Sequence, residues 1–314
     1  MLPECRVRGR STLGCAMKTF TAPVGGLLYS LLHLGGFDGD LSFYCHRATG
    51  RVLEMGCGDG RLAAALCLGT APLTVLQQQQ DAETGAPAVA AVTPPQMYVG
   101  IELCEPLAMK ARERMETSPC VAEVVVGDFL EQLPAERRAS FDTVIVSANT
   151  LFATPAHDVL LANCAEALVP DGRLLLDVYN SLLWHGSEDD TAEDGDDEAA
   201  FDDEPTLLVR VQDENERTWT VYEREPSVDS TAQRITCTYE FEAVGAEDAP
   251  ESESAPSVFT EQLVHNYLLP EELVRLLDTS GFAIEELYGD FSAHDSASFD
   301  PVDSEHVVVI ARRK

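Results

Sequence analysis

The sequence predicts an α/β protein, a parallel sheet with helices on both faces, extended late in the chain by antiparallel strands. Three observations lead there. Short runs of apolar and β-branched residues alternate with helix-length segments five times between Arg51 and Val178, the pattern of a sheet held between two helical layers. The first run opens into a glycine-rich turn, Gly56-Cys57-Gly58-Asp59-Gly60, and helix-forming residues Arg61 to Leu66 follow at once. After Pro205 the hydrophobic period drops to two, in four stretches rich in Val, Thr and Tyr.

The stretch Arg51 to Leu62, RVLEMGCGDGRL, organises the rest. Val52 to Met55 reads as a buried strand. Glycines at alternate positions bring backbone close to a bound molecule and permit positive φ in a sharp turn. The helix behind them offers free N–H groups and partial positive charge, which suit a carboxylate as well as a phosphate. Glu54 stands two residues before the first glycine, so the spacing is acid-x-Gly-x-Gly-x-Gly rather than the Gly-x-Gly-x-x-Gly of dinucleotide sites. A carboxylate there repels a pyrophosphate but can face a cationic amine or sulfonium. The alternative is an ordinary glycine-rich strand-to-helix turn.

Before this turn, residues 1–19 form an Arg-rich leader, with Arg6, Arg8, Arg10 and Lys18 against Glu4. It reads as a disordered tail, as sequence upstream of a start at Met17, or as a mitochondrial targeting segment. Val24 to Leu34 is expected to be helical, and Asp40 to cap a second helix, Leu41 to Ala48. Residues 68–96, with four consecutive glutamines and repeated Ala, read as a disordered insertion. Met97 to Ile101 is the second strand and ends at Glu102. Nucleoside sites place an acid about 20 residues after the glycines, at the second strand tip, to bind ribose hydroxyls. Discounting the insertion roughly restores that spacing, which makes Glu102 the ribose ligand; a surface acid at a strand end is the plainer alternative.

Glu105 to Glu116 is an amphipathic helix and Val121 to Val126 the third strand, ended by Gly127-Asp128-Phe129. Phe141 to Ser147 is the fourth strand and delivers Ala148 to Phe152. A helix over Ala156 to Leu168 ends in the turn Val169 to Gly172, which launches the fifth strand, Arg173 to Val178. Residues 187–205 and 245–257 are acidic, solvated inserts. The alternating stretches Thr206 to Val211, Thr218 to Arg224, Arg234 to Glu242 and Val258 to Tyr267 form an antiparallel ribbon. Leu269 to Ser280 is a helix with Pro270 in its first turn. Phe282 to Tyr288 and His306 to Ala311 close the sheet as a hairpin-like pair.

The 314 residues are 45% hydrophobic and carry a formal net charge of -33, much of it in the acidic inserts. That field disfavours nucleic acid and anionic membranes and accommodates a small or cationic substrate. The acidic loops offer a surface to a basic protein partner. Nine cysteines without a Cys-x-x-Cys pair give no metal pattern and no disulfide framework, and they fit a reducing, cytoplasmic compartment, the mitochondrion being the alternative. No apolar run approaches the roughly 20 residues needed to span a bilayer.

The motifs LEMGCGDG, YVGIEL, VVGDF, FDTVIVSAN, VPDGRLLLDVYN and SGFAIEELYGDF resemble those of class I S-adenosylmethionine-dependent methyltransferases, the general methyltransferase-domain group of small-molecule enzymes. The resemblance covers the chain from Tyr29 onward, apart from the low-complexity inserts. It implies a Rossmann-like seven-stranded methyltransferase sheet whose last strand runs antiparallel between its neighbours, with an antiparallel β-ribbon insertion, residues 206–267, after strand five of a domain spanning 20–314. It implies S-adenosyl-L-methionine as cofactor, held by Glu54, Gly56, Cys57, Gly58, Gly60, Glu102, Leu103, Asp128, Phe129 and Asn149. Asp128 would accept from the adenine amino group and Phe129 pack on the ring. The short helices before the glycine turn would lid the cofactor, with Tyr29, His33 and Tyr44 facing it.

Methyl transfer from a sulfonium needs alignment and exclusion of water rather than a metal or a covalent intermediate. Asn149, Tyr179 and His265 are the expected catalytic residues, with Asn180, Trp184, His185, Tyr222 and Tyr267 as further substrate-facing groups and the ribbon as a roof. Asn149 and its apolar successors are also similar to the Asn-Ser-Phe-Ala-His stretch of glycine N-methyltransferase-like enzymes, but the His is absent here, which weakens transfer of that substrate. The expected reaction is methylation of a small molecule (EC 2.1.1.-), N-methylation slightly preferred. The alternatives are an inactive cofactor-binding scaffold with partner-recruiting acidic loops, or a protein methyltransferase. Glu54 and the glycine spacing disfavour a nicotinamide dehydrogenase.

Overall fold

A computed structural model describes residues 36–37, 39–72, 89–91, 93–185, 205–212, 217–244, 258–291 and 298–314. The leader, the helix expected at 24–34 with Tyr29 and His33, and nearly all of the two acidic inserts lie outside the described residues.

Helix α1 (Asp40–Arg47) precedes strand β1 (Arg51–Met55) and helix α2 (Arg61–Leu68). Strands β2 (Thr70–Pro72) and β3 (Val89–Ala91) pair with each other, so the ends of the low-complexity segment form a small antiparallel ladder rather than free coil. Then come β4 (Met97–Glu102), α3 (Glu105–Met115), β5 (Val121–Val126), β6 (Phe141–Val146), α4 (His157–Ala167) and β7 (Leu168–Tyr179). The ribbon supplies β8 (Thr206–Gln212), β9 (Thr218–Glu223), β10 (Ser227–Asp229), β11 (Arg234–Ala243) and β12 (Val258–Asn266). Helix α5 (Pro270–Thr279), β13 (Phe282–Tyr288) and β14 (His306–Arg313) complete the order.

The main sheet runs β13-β14-β7-β6-β1-β4-β5. The five strands from β7 to β5 are parallel, and β14 lies antiparallel between β7 and β13, as the sequence predicts. Alternation along β1 explains its central place. Val52 faces α1, α2 and α3, among Phe43, Cys67, Ala108 and Ala111. Leu53 and Met55 face α4 and α5, among Leu160, Cys164, Leu273 and Leu277. A strand buried on both faces has no use for a polar residue, so the buried Glu54 beside Met55 needs a function to explain it.

After β1 the chain builds β4 and β5 to one side, then crosses back to place β6 on the other. The crevice at the carboxyl ends of β1 and β6 is therefore the topological switch point, where such sheets bind ligands. The ribbon folds as its own sheet, β10-β11-β9-β8 with β12 also on β11, around Trp219, Val221, Tyr239 and Phe241. Its β12 lies against the short turn Thr150–Ala153 that follows β6, which brings the ribbon over the crevice.

Two expectations need correction. Asp40 is the first residue of α1 rather than its cap; Gly39 occupies the cap with φ 82°. The Asp40 carboxylate pairs instead with Arg61 on α2. The turn expected at Val169 to Gly172 is absorbed into β7, which starts at Leu168; positive φ at Asp171 (62°) and a register shift between Phe141 and Thr143 take up the irregularity.

Gly60, at the start of α2, has φ 82°, and a Cβ there would stand 2.7 Å from the Ala111 Cα of α3. The glycine lets the two helices touch. Gly60→Ala should therefore lower unfolding free energy by about 2–4 kcal/mol, combining left-handed strain with a clash against backbone. Urea denaturation will read this as a lower midpoint; an unchanged midpoint contradicts the packing role.

Candidate active site

The site grows from the turn after β1. The Gly56 and Cys57 N–H groups both donate to the Ile101 carbonyl, at 2.9 and 3.0 Å, lashing the turn across the end of β4. This crossing depends on Gly100, where a Cβ would lie 2.6 Å from Cys57 Sγ. Glu102 completes the link: Oε2 accepts from Gly58 N–H and Oε1 from Cys104 N–H, each at 2.8 Å. With one lone-pair direction per oxygen used, each oxygen keeps another for a ligand. Burial holds this carboxyl above its ordinary value, opposed by those backbone donors.

Glu54 is 2% exposed. Its Oε2 accepts from the Tyr98 hydroxyl at 2.5 Å and its Oε1 from Ser147 Oγ at 3.2 Å. Burial pushes its pKa up to about 7, although both donors and the Arg61 guanidinium pull the other way. Glu54 and Glu102 line one cavity of about 270 Å³. On the same wall stand Gly56, Cys57, Gly58 and Arg61; Leu103, Leu107 and Phe129 form an apolar side. Burial raises the Cys57 thiol far above its usual range, so it is an inert neighbour rather than a nucleophile.

The opposite wall comes from the end of β6 and from the ribbon: Ser147, Ala148, Asn149, Thr150 and Ala153 face Leu263 and His265 of β12. Ala148 and Asn149 both have positive φ, 54° and 61°. The Asn149 side chain secures this turn, its Oδ1 accepting from Tyr179 N–H at 2.7 Å. The Tyr179 ring stacks beneath His265 at 5.7 Å. Burial drives the His265 pKa down to about 4. The imidazole is therefore neutral at pH 7, and its nitrogens have no hydrogen-bond partner among the described residues.

Of the residues expected from sequence, Glu54, Gly56, Cys57, Gly58, Glu102, Leu103, Phe129, Asn149 and His265 meet at the cavity. Gly60, Asp128 and Tyr179 do not line it. Gly60 serves helix packing. Asp128 Oδ1 accepts from Leu130 N–H at 2.8 Å, so the acid shapes its own loop. The Tyr179 hydroxyl is buried beside the ribbon residues Cys237 and Tyr267, without a partner among the described residues, so Tyr179 supports His265 and Asn149 instead. Tyr44 is buried on α1 and bonds Asp177 rather than lining the cavity. Asn180, Trp184, His185, Tyr222 and Tyr267 also stand off it; Asn180 donates to the Pro301 and Ser304 carbonyls, and His185 pairs with the Tyr267 hydroxyl.

Sequence reasoning missed Arg61, Ser147, Leu263 and Asp177. Arg61 is the first residue of α2 and Ser147 the residue after β6, both at positions that the switch point makes functional. Leu263 stands two before His265, on the same face of an alternating strand. Asp177 sits in an apolar strand, LLLDVY, and a lone acid in such a run was the available signal.

A family model described as a methyltransferase domain matches residues 81–172, a span that holds Glu102, Phe129 and Asn149 but starts after the glycine turn. No protein of curated function matches the sequence. Among solved structures, an S-adenosylmethionine-dependent methyltransferase from Clostridium acetobutylicum ATCC 824 is similar with a TM-score of 0.57 at 10% identity, over 92% of this chain and 97% of that one. The CcbJ methyltransferase from Streptomyces caelestis is similar with a TM-score of 0.54 at 19% identity, over 93% and 96%. Residues 81–172 thus resemble a methyltransferase domain, and the chain has the fold of class I methyltransferases.

The titration of Glu54 has a measurable consequence. Its pKa is raised in the fold, so the ionised form is disfavoured there, and wild-type stability falls as pH rises from the ordinary carboxylate value, 4.5, to about 7. Glu54→Gln removes that loss. The stability difference, variant minus wild type, should grow across this window by up to about 3 kcal/mol and level off above it. Urea midpoints between pH 4 and pH 8 measure it; a difference that is flat or shrinks contradicts the burial of a titrating carboxyl.

Proposed function

We propose that this domain transfers a methyl group from S-adenosylmethionine to a small-molecule acceptor, with an amine nitrogen favoured over oxygen. The observation that carries the proposal is the convergence of Glu54 and Glu102, from separate strands, on one cavity crossed by a glycine turn. The residues fit the cofactor chemically. A buried carboxyl at Glu54 faces positive charge; Glu102 keeps free lone pairs for ribose hydroxyls; Arg61 and the N-terminus of α2 suit a carboxylate; Leu103, Leu107 and Phe129 suit a flat apolar base.

S-adenosylmethionine supplies a methyl on a sulfonium, whose thioether leaves without protonation. The remaining work is positional, and orientation alone can lower such a barrier by on the order of 7–11 kcal/mol in the best intramolecular cases. Ser147 to Thr150 and the ribbon residues Leu263 and His265 form the wall where an acceptor stands. Neutral His265 can accept a hydrogen bond from an acceptor N–H and aim the nitrogen lone pair inward. With a pKa near 4 it is too weak a base to ionise an alcohol, which favours an amine arriving as its free base. The ribbon over the crevice keeps water out.

Two measurements test this. Glu102→Ala should weaken S-adenosylmethionine binding by about 1–3 kcal/mol, the loss expected when a charged hydrogen-bond acceptor goes; calorimetry giving wild-type affinity rejects the ribose role. His265→Ala should keep cofactor affinity but lower kcat/KM on an amine panel by about tenfold or more, read as release of S-adenosylhomocysteine. Wild-type protein that binds cofactor yet releases no product with amines, acids or phenols would favour a scaffold.

A further inference from the structure

Asp177 lies near the carboxyl end of β7, in the apolar run LLLDVY, and is 1% exposed. It does not itself line the cavity, yet its carboxylate bonds the backbone of residues that do. Oδ1 accepts from Ala148 N–H at 2.9 Å and Oδ2 from Asn149 N–H at 3.4 Å. Those are the two consecutive non-glycine residues with positive φ. Such backbone is costly and persists only where its surroundings over-determine it. Oδ1 also accepts from the Tyr44 hydroxyl of α1. One buried acid thus joins α1 to the strained turn.

Resting on the proposed cofactor reading, we propose that Asp177 is the positioning residue of the methyl-transfer wall: its carboxylate, held by Tyr44, clamps the Ala148–Asn149 turn in the conformation that shapes the cavity. Two N–H groups pointing at a carboxylate make charge-assisted bonds, stronger than those to a neutral amide. The clamp therefore works in the ionised form. Burial raises the Asp177 pKa to about 6, and the Tyr44 and backbone donors lower it against that. The charged and titratable groups around it are Tyr44 and Asp40 on α1, Arg61 of α2 paired to Asp40, Glu54 on β1, which interacts with Tyr44, and, on the neighbouring β14, His306, whose pKa burial lowers. Nearby charge is mainly negative, so the acid has no cation of its own and depends on hydrogen bonds.

The test uses the full chain, S-adenosylhomocysteine as probe, and calorimetry between pH 5 and pH 8, with thermal midpoints as a check on folding. Asp177→Asn keeps an acceptor for Ala148 but carries no charge. At pH 8 it should bind the probe about tenfold more weakly than wild type, as expected for loss of a charged acceptor. Hydrogen exchange over residues 147–150 should be faster to match. As pH falls through about 6 the wild type loses the same charge, so the gap between the two should close. Tyr44→Phe removes a donor that lowers the Asp177 pKa, so the pH at which wild-type-like binding fails should move upward. Because each comparison is with wild type at the same pH, the titration of Glu54 is common to both sides.

A merely structural Asp177 would move the thermal midpoint but not these profiles. Equal probe affinity in Asp177→Asn, or a gap independent of pH, overturns the inference, as does a Tyr44→Phe profile that coincides with wild type. Wild-type protein that fails to bind the probe at any pH overturns the cofactor reading itself, a result distinct from the others.

Discussion

Two carboxylates withdrawn from water around one small cavity set the terms for the rest of this molecule. Burying a carboxyl is costly unless it is hydrogen-bonded or meets positive charge. Glu54 is pushed close to neutrality, and Glu102 is kept in place by backbone donors. Two buried carboxyls so placed suit the ligand proposed above, one carrying positive charge and hydroxyl groups. The glycine turn, the Gly100 close approach and the Tyr98 hydroxyl are the means by which that arrangement is held.

The same economy extends across the switch point. On the proposed reading, the cofactor half of the cavity rests on β1, β4 and α2, elements early in the chain and tightly packed. The acceptor half rests on the end of β6 and on β12, which the ribbon brings in from far along the sequence. Asn149 and Tyr179 tie these parts together, and His265 stands on the Tyr179 ring. In the proposed reaction, chemistry on the acceptor side is left to a neutral imidazole and backbone geometry.

Much of this was legible in the sequence, for physical reasons. Strands buried on both faces read as apolar runs, and the ribbon, with one face over its small core, reads as period two; the antiparallel β14 followed from the family pattern. Glu54 was visible because an acid in an apolar run before a glycine turn has no structural excuse. Asp128 and Tyr179 were misplaced because sequence gives a strand end but not the direction of a side chain. Asp128 bends back to its own backbone, and Tyr179 turns its hydroxyl under the ribbon. Asp40 looked like a cap because Asp before a helix often is one, whereas its partner Arg61 lies beyond a strand and a turn. The Asp177 carboxylate meets Tyr44, 133 positions away, a separation that no local pattern can bridge.

The central claim is that one cavity holds S-adenosylmethionine between Glu54 and Glu102. A crystal structure of the protein with S-adenosylhomocysteine tests it most directly. The account predicts both ribose hydroxyls within hydrogen-bonding distance of the Glu102 carboxylate, the amino-acid end beside Glu54 and Arg61, and the thioether facing Asn149 and His265. A nucleoside seated elsewhere, or a cavity closed by side chains while the ligand binds in solution, would contradict it.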